Sequence, residues 1–89
     1  MSKPYFEVLI SNDTKYRMFK GEMDERELLW HHDERDREIF ILDGTDWQFQ
    51  FDDELPIVMK SGDTIVIPNH RYHRVIKGKG NLIVKILEK

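Results

Sequence analysis

Apolar and polar residues alternate in short runs along most of this chain, and the alternation is clearest in WQFQF, residues 47–51. Aromatic side chains occupy every second position of this segment, with glutamines between them. Side chains change face with a period of two on a β-strand, so the segment predicts a strand with one buried face. We expect Trp47, Phe49 and Phe51 to pack in the core or in a dimer contact rather than to stack on a ligand.

Further runs have the apolar, β-branched and aromatic content of strands. They are YFEVLI, KYRMFKG, EIFILDG, LPIVMK, TIVIP, HRVIKG and NLIVKIL. Turn-forming clusters such as SNDT, SGD and GKGN separate several of these runs. Many short strands joined by polar turns predict an antiparallel barrel or sandwich.

Two local features add to this pattern. Asp43 and Gly44 lie between two strand-like runs, and because both residue types tolerate positive φ, the pair predicts a β-hairpin. MDERELLWHH, residues 23–32, is the one segment with helical character. A helix of about ten residues without a strong cap is marginally stable on its own.

The length of 89 residues provides for one domain. We expect a single domain over residues 1–89, with a thin core that a partner subunit helps to stabilise. The absence of cysteine excludes disulfides, thiolate metal ligands and cysteine nucleophiles. Because the sequence has neither a long apolar run nor a signal-peptide core, we expect a soluble, cytoplasmic protein that does not act at a membrane.

Charged residues are unevenly distributed, although the net charge is only −3 at pH 7. Residues 43–54 carry acidic side chains without a base, whereas residues 69–79 carry arginines and lysines without an acid. A basic stretch that contains an aromatic residue is compatible with nucleic-acid binding. Nucleic-acid binders usually have a basic overall charge as well, so we expect salt-paired strands and loops here and no nucleic-acid partner.

The segment 62–77 resembles the second sequence motif of the cupin family. Gly62, Pro68 and His73 stand at the spacing of that motif, while His70 replaces a glycine and Lys77 an asparagine. Because the motif glycine lies in a turn, we expect His70 to adopt the conformation of that turn.

The segment WHHDERDREIFILDG resembles the first cupin motif and aligns with it without gaps. His31 takes the place of the first motif histidine and Asp33 that of the second. Arg37 takes the place of the motif glutamate, and Gly44 is the closing glycine. His32, next to the first motif position, is expected to face the surface.

The resemblance spans about residues 21–77 and implies an all-β fold, an antiparallel double-stranded β-helix or jelly-roll cupin barrel. It also implies a site for a divalent transition metal (Fe, Mn, Ni or Zn) formed by His31, Asp33 and His73. Two imidazoles and a carboxylate resemble the facial triad of non-haem iron enzymes. The alternative for each histidine is a polar barrel residue that is hydrogen-bonded to Asp33 or to a backbone carbonyl.

Arg37 departs from the family pattern, because it stands where a carboxylate ligand is usual. Its guanidinium cannot lose a proton, and a positive charge within about 4 Å costs several kcal/mol against a dication. Either Arg37 turns away to pair with Asp33, Glu34 or Asp36, or the metal is absent. An arginine in a pocket also binds carboxylates and phosphates by paired hydrogen bonds, which makes Arg37 a candidate substrate-binding residue.

Two classes of function remain open at this point. The first is a metal-dependent enzyme acting on a small anionic molecule, for which the resemblance implies oxygenases and isomerases as candidates. The second is a metal-free ligand-binding or protein-interaction module, and a weaker third is acid/base catalysis by His73 without a metal. In each class His70 and Trp30 are candidate substrate-binding residues at the pocket rim.

The first strand-like run predicts a contact between subunits. PYFEVLI, residues 4–10, offers an apolar edge strand, and exposed sheet edges need protection. The resemblance to dimeric cupins implies pairing across a two-fold axis as well. We expect a homodimer that binds a small-molecule ligand.

Overall fold

The computed structural model describes residues 5–21, 28–44 and 46–89. Its strands are β1 Phe6–Leu9, β2 Thr14–Phe19, β3 Arg37–Gly44, β4 Gln48–Phe51, β5 Ile57–Val58, β6 Thr64–Ile67, β7 His73–Ile76 and β8 Leu82–Glu88. The predicted all-β fold is confirmed, because the described residues form strands and turns without a helix.

The segment for which we expected marginal helical character falls largely outside this description. Residues 23–27 lie outside the described residues, and residues 28–32 are not helical. Within the described part of the chain, no helix has the length and apolar character needed to span a membrane.

The strands form two antiparallel sheets, as the barrel prediction requires. The larger sheet has the order β1-β2-β8-β3-β6, and the smaller has the order β5-β4-β7. Alternate residues of both sheets point into one core, so that β8 buries Leu82, Val84 and Ile86 while β3 buries Ile39 and Ile41. The period-two pattern in the sequence therefore identified the inward faces correctly.

The aromatic run of WQFQF lies in this core, as we expected. Trp47 is fully buried and Phe49 nearly so, and Phe51 packs against them as a partly buried residue. The indole Nε1 of Trp47 donates a hydrogen bond of 2.6 Å to the carbonyl of Gly80. This bond satisfies the polar atom that complete burial of a tryptophan would otherwise leave without a partner.

The predicted hairpin at Asp43 and Gly44 is wrong. β3 pairs with β6 on one side and with β8 on the other, whereas β4 belongs to the other sheet, so the chain crosses between the sheets after Gly44. A Cβ on Gly44 would come within 3.0 Å of Leu82 Cδ1. Gly44 therefore permits close packing at the crossing, whereas positive φ occurs at Asp46, with a value of 52°.

The loop from His31 to Asp36 is held against the start of β7 and the turn before it. His31 and His73 form an isolated antiparallel bridge, with reciprocal backbone hydrogen bonds of 3.0 and 2.9 Å. The amide of His70 donates to the carbonyl of Asp33 at 2.7 Å, and the amide of Asn69 donates to the Asp36 carboxylate at 2.8 Å. These backbone contacts bring the two motif segments together.

Candidate metal and ligand site

His31, Asp33 and His73 converge in the structure. One ligand atom from each residue lies within 4.8 Å of the other two. His73 is only 3% exposed, whereas His31 lies at the exposed end of the group and Asp33 is intermediate. The group therefore extends from the barrel interior towards solvent.

The two imidazole rings are oriented by backbone carbonyls. Nδ1 of His31 lies 3.0 Å from the carbonyl oxygen of Leu29, and Nδ1 of His73 lies 2.8 Å from that of Arg71. Because a carbonyl only accepts, each Nδ1 carries the hydrogen, and in the neutral rings each Nε2 presents a lone pair. Metal-binding histidines usually have such an outer hydrogen bond, which fixes the tautomer and the ring orientation.

Asp33 has one carboxylate oxygen without a hydrogen bond. Its Oδ2 lies 3.3 Å from His73 Nε2, yet it is buried and the contact lacks hydrogen-bond geometry. A carboxylate oxygen and an imidazole lone pair repel each other unless a proton or a metal ion lies between them. Either a proton on His73 Nε2 or a metal ion therefore makes this contact favourable.

Local electrostatics keep the donor atoms in the states that a metal needs. Burial raises the pKa of Asp33, but the contact with His73 and the positive charge of Arg37 outweigh it, so the pKa lies below its ordinary value. Burial lowers the pKa of His31, and the neighbouring His73 and Arg37 also lower it. At neutral pH Asp33 is thus a carboxylate and His31 a neutral imidazole.

Arg37, the first residue of β3, pairs with Asp33, one of the partners considered from the sequence. Nη1 of Arg37 lies 3.1 Å from Asp33 Oδ1, and Nη2 lies 3.5 Å from Glu88 Oε2. Nε of Arg37 is buried and has no hydrogen-bond partner. Two carboxylates therefore offset the guanidinium charge, while one donor remains available.

Glu88 is a residue of the site, an ion-pair partner of Arg37, that the sequence did not predict. It faces Arg37 because the two residues are direct neighbours in the pairing of β3 with β8, and its Oε1 lies 2.7 Å from Lys15 Nζ. The other candidate partners of Arg37 have different contacts, since Glu34 pairs with His70 and Asp36 accepts the Asn69 amide.

A cavity of about 330 Å³ extends from the histidines between the two sheets. Its wall is largely apolar and includes Phe19, Leu28, Leu29, Ile39, Phe49, Met59, Ile67, Val75, Leu82, Val84 and Ile86. The polar residues of the wall are Tyr5, Arg17, His31, Arg37 and His73. The candidate metal group is therefore next to a pocket large enough for a small organic ligand.

Arg17 belongs to the cavity wall and was not predicted. It lies on β2 two residues before the buried Phe19, and residues two apart on a strand face the same side. This spacing is the signal in the sequence that the Arg17 side chain faces the core. Its Nε donates to Glu7 Oε1 at 2.6 Å, and its guanidinium lies 4.1 Å from the centre of the Tyr5 ring.

His70 and Trp30, the candidate rim residues, lie outside the described cavity wall. His70 is exposed, and its Nε2 lies 3.1 Å from Glu34 Oε2. Trp30 is 42% exposed and stacks with Arg74, whose guanidinium carbon lies 4.6 Å from the ring centre. His32 is exposed, with its ring centre 4.8 Å from that of Tyr72. The structure thus brings Arg37 to the pocket and keeps these three side chains at the surface.

The donor set fits a divalent transition metal. Two imidazole nitrogens and one carboxylate oxygen suit Fe, Mn, Ni or Zn, and Asp33 Oδ2 is buried without a hydrogen bond, 3.3 Å from His73 Nε2. Arg37 opposes a dication through its charge, but its ion pairs with Asp33 and Glu88 reduce that opposition.

No family model matches the chain, and no curated protein matches it. Solved structures resemble it closely. A cupin-2 domain protein from Shewanella frigidimarina gives a TM-score of 0.65 at 24% identity, over 94% of this chain and 78% of that one. A cupin domain from Bordetella pertussis gives 0.66 at 15% identity, over 100% of this chain and 98% of that one.

An enzyme is also among the similar structures. The DMSP lyase DddQ from Ruegeria pomeroyi gives a TM-score of 0.71 at 14% identity, and the similarity covers 97% of this chain but only 47% of the lyase. At such identities the likeness concerns the backbone fold rather than the chemistry. The chain has the fold of a cupin barrel.

Proposed function

We propose that this cupin barrel binds a divalent transition metal through His31, Asp33 and His73 and acts on or binds a small anionic molecule in the adjoining cavity. The observation that carries the proposal is the direction of the two imidazoles. Backbone carbonyls hold both Nδ1 atoms, so the Nε2 atoms are the nitrogens offered to the group, and that of His73 lies 3.3 Å from Asp33 Oδ2.

Each group of the site has a distinct part in this proposal. A bound metal would supply a Lewis-acid centre with coordination positions open to a ligand. Arg37 contributes a largely buried positive charge that attracts the anionic group of the ligand, and the apolar wall strengthens that attraction.

Measurement of the bound metal tests the proposal directly. The full chain is loaded separately with Fe, Mn, Ni and Zn, freed of unbound metal and subjected to elemental analysis. We expect stoichiometric metal in the wild type and loss of that metal in His73→Ala. His70→Ala is the matched control, because His70 is a histidine outside the group, and it should retain the metal. Absence of every metal from the wild type would contradict the proposal.

The second candidate is a metal-free ligand-binding module. It is favoured by Arg37, whose charge lies beside the candidate ligands and whose Nε is buried without a partner. In that case chelator-treated protein retains full affinity for its ligand, and added metal does not change this affinity. If the metal is required, chelation abolishes binding or activity and metal addition restores it.

A further inference from the structure

We propose that the cavity takes a monocarboxylate with an unbranched or cyclic hydrocarbon body. This proposal deepens the function proposed above and rests on it for the use of the same cavity. It excludes sugar phosphates and other polyhydroxylated anions as good ligands. Three properties of the described residues support it: the chemistry of the wall, the buried Nε of Arg37 without a partner and the charge balance.

The wall gives a ligand body few hydrogen-bonding partners. The residues from β3, β6, β7 and β8 that line it are, apart from Arg37 and His73, apolar: Ile39, Ile67, Val75, Leu82, Val84 and Ile86. A hydroxyl group placed against such side chains loses its hydrogen bonds to water without replacement. A hydrocarbon body gains free energy from the same contact.

Arg37 supplies a hydrogen-bond donor at the anionic end of the cavity. Arg37 directs Nη1 to Asp33 and Nη2 to Glu88, which leaves Nε as the buried donor without a partner. Arg17, the other arginine of the wall, donates its Nε to Glu7. A carboxylate oxygen of the ligand can accept a hydrogen bond from the Nε of Arg37.

The charges of the described residues around the site nearly cancel. Arg17, Arg37 and Lys15 form ion pairs with three carboxylates, which belong to Glu7, Asp33 and Glu88. Because the carboxylates Asp33 and Glu88 flank Arg37, a dianion placed beside Arg37 meets more repulsion than a monoanion. Without a bound metal, the site therefore accepts a single negative charge more readily than two.

The volume limits the size of the ligand. At roughly 30 Å³ for each water-sized group, a cavity of about 330 Å³ accommodates on the order of ten non-hydrogen atoms. Carboxylic acids of about six to eight carbons have this size, and so do small aromatic acids.

Calorimetric titration of the wild-type chain with matched ligands measures separately how the anionic head group and the hydrocarbon body contribute to affinity. Hexanoate is compared with gluconate, which differs in the body, with hexyl phosphate, which differs in the head group, and with hexanamide, which lacks the charge. We expect hexanoate to bind at least tenfold more tightly than each of these. From butyrate to octanoate, affinity should rise about fourfold per methylene, the factor that corresponds to about 0.8 kcal/mol per buried CH₂.

The contribution of Arg37 is measured with Arg37→Gln, and Arg74→Gln is the control because Arg74 lies outside the cavity wall. We expect Arg37→Gln to lose at least tenfold in hexanoate affinity and to bind hexanamide as the wild type does. Arg74→Gln should bind both ligands normally. If Arg37→Gln does not fold, the comparison of ligands on the wild type decides the question alone.

Gluconate or hexyl phosphate binding as tightly as hexanoate would overturn the inference, as would affinity independent of chain length. Titrations of both chelator-treated and metal-loaded protein keep the two proposals distinguishable. Selective hexanoate binding by a chain that takes up no metal supports the ligand class and contradicts the metal site. Metal uptake without this selectivity supports the metal site and contradicts the ligand class.

Discussion

The two carboxylate oxygens of Asp33 have different neighbours, and this difference defines the chemistry of the site. Arg37 lies 3.1 Å from Oδ1 and His73 lies 3.3 Å from Oδ2. The first contact compensates the charge of Arg37, while the second leaves a place for a proton or a metal ion. One short side chain thus serves both the ion pair and the candidate metal group.

Asp33 should also make stability depend on pH. Its pKa in the folded chain lies below the ordinary value of 3.8, so the carboxylate stabilises the fold above that value, and the stabilisation is lost as the pH falls through the folded pKa. Urea unfolding of metal-free wild type and Asp33→Asn measures this. The difference in free energy of unfolding should be constant near neutral pH and shrink below about pH 4. A difference that persists unchanged in acid would argue against the prediction.

At the scale of the elements, the turn between β6 and β7 sets the position of the motif histidine. His70 adopts φ of 63° in this turn, which confirms the expectation drawn from its place at a family glycine. This backbone conformation is strained for a residue with a Cβ. The contact of His70 with Glu34 is exposed and offsets little of that strain.

Replacement of His70 by glycine should therefore stabilise the fold. We expect His70→Gly to raise the free energy of unfolding by about 0.5–1 kcal/mol, because relief of the left-handed strain exceeds the added entropy of the unfolded chain. Asn69→Gly is the control, since Asn69 lies in the same turn without positive φ, and it should destabilise. Urea titrations measure both variants, and a destabilised His70→Gly would show that the side-chain contact outweighs the strain.

The sequence predicted the site residues that are fixed by their spacing along the chain. It did not predict contacts between strands that are far apart in the sequence. His31, Asp33 and His73 could be predicted because the spacing of the cupin motifs that the sequence resembles is a local property. The contact of Arg37 with Glu88 could not, since it exists only once β3 and β8 pair in register. The prediction of a hairpin at Asp43 and Gly44 was wrong for the same reason, because the strands that pair with β3 depend on the strand order of the whole sheet.

On the scale of the whole molecule, the outer edge of β1 is the feature that bears on assembly. β1 is the end strand of the larger sheet, and its Phe6, Val8 and Leu9 are exposed, Leu9 at 70%. Apolar side chains along an open edge favour pairing with another strand. The homodimer expected from the sequence remains our prediction.

The molecular mass measured by light scattering at micromolar concentration tests this prediction. We expect a dimeric mass for the wild type and a shift towards the monomer for Leu9→Lys, because a charged side chain on an edge strand disfavours strand pairing. Leu55→Lys is the matched control, since Leu55 is 85% exposed and lies outside β1, and its mass should equal that of the wild type. A monomeric wild type would contradict the prediction.

The central place of β8 also has a consequence for folding kinetics. β8 lies between β2 and β3, so the larger sheet closes only when segments far apart in the chain meet, and such non-local topologies fold slowly, in milliseconds to seconds. The same step brings Leu82, Val84 and Ile86 to the cavity and Glu88 to Arg37. A partly folded chain without β8 therefore has neither the pocket nor the paired arginine, and ligand binding reports completion of the fold.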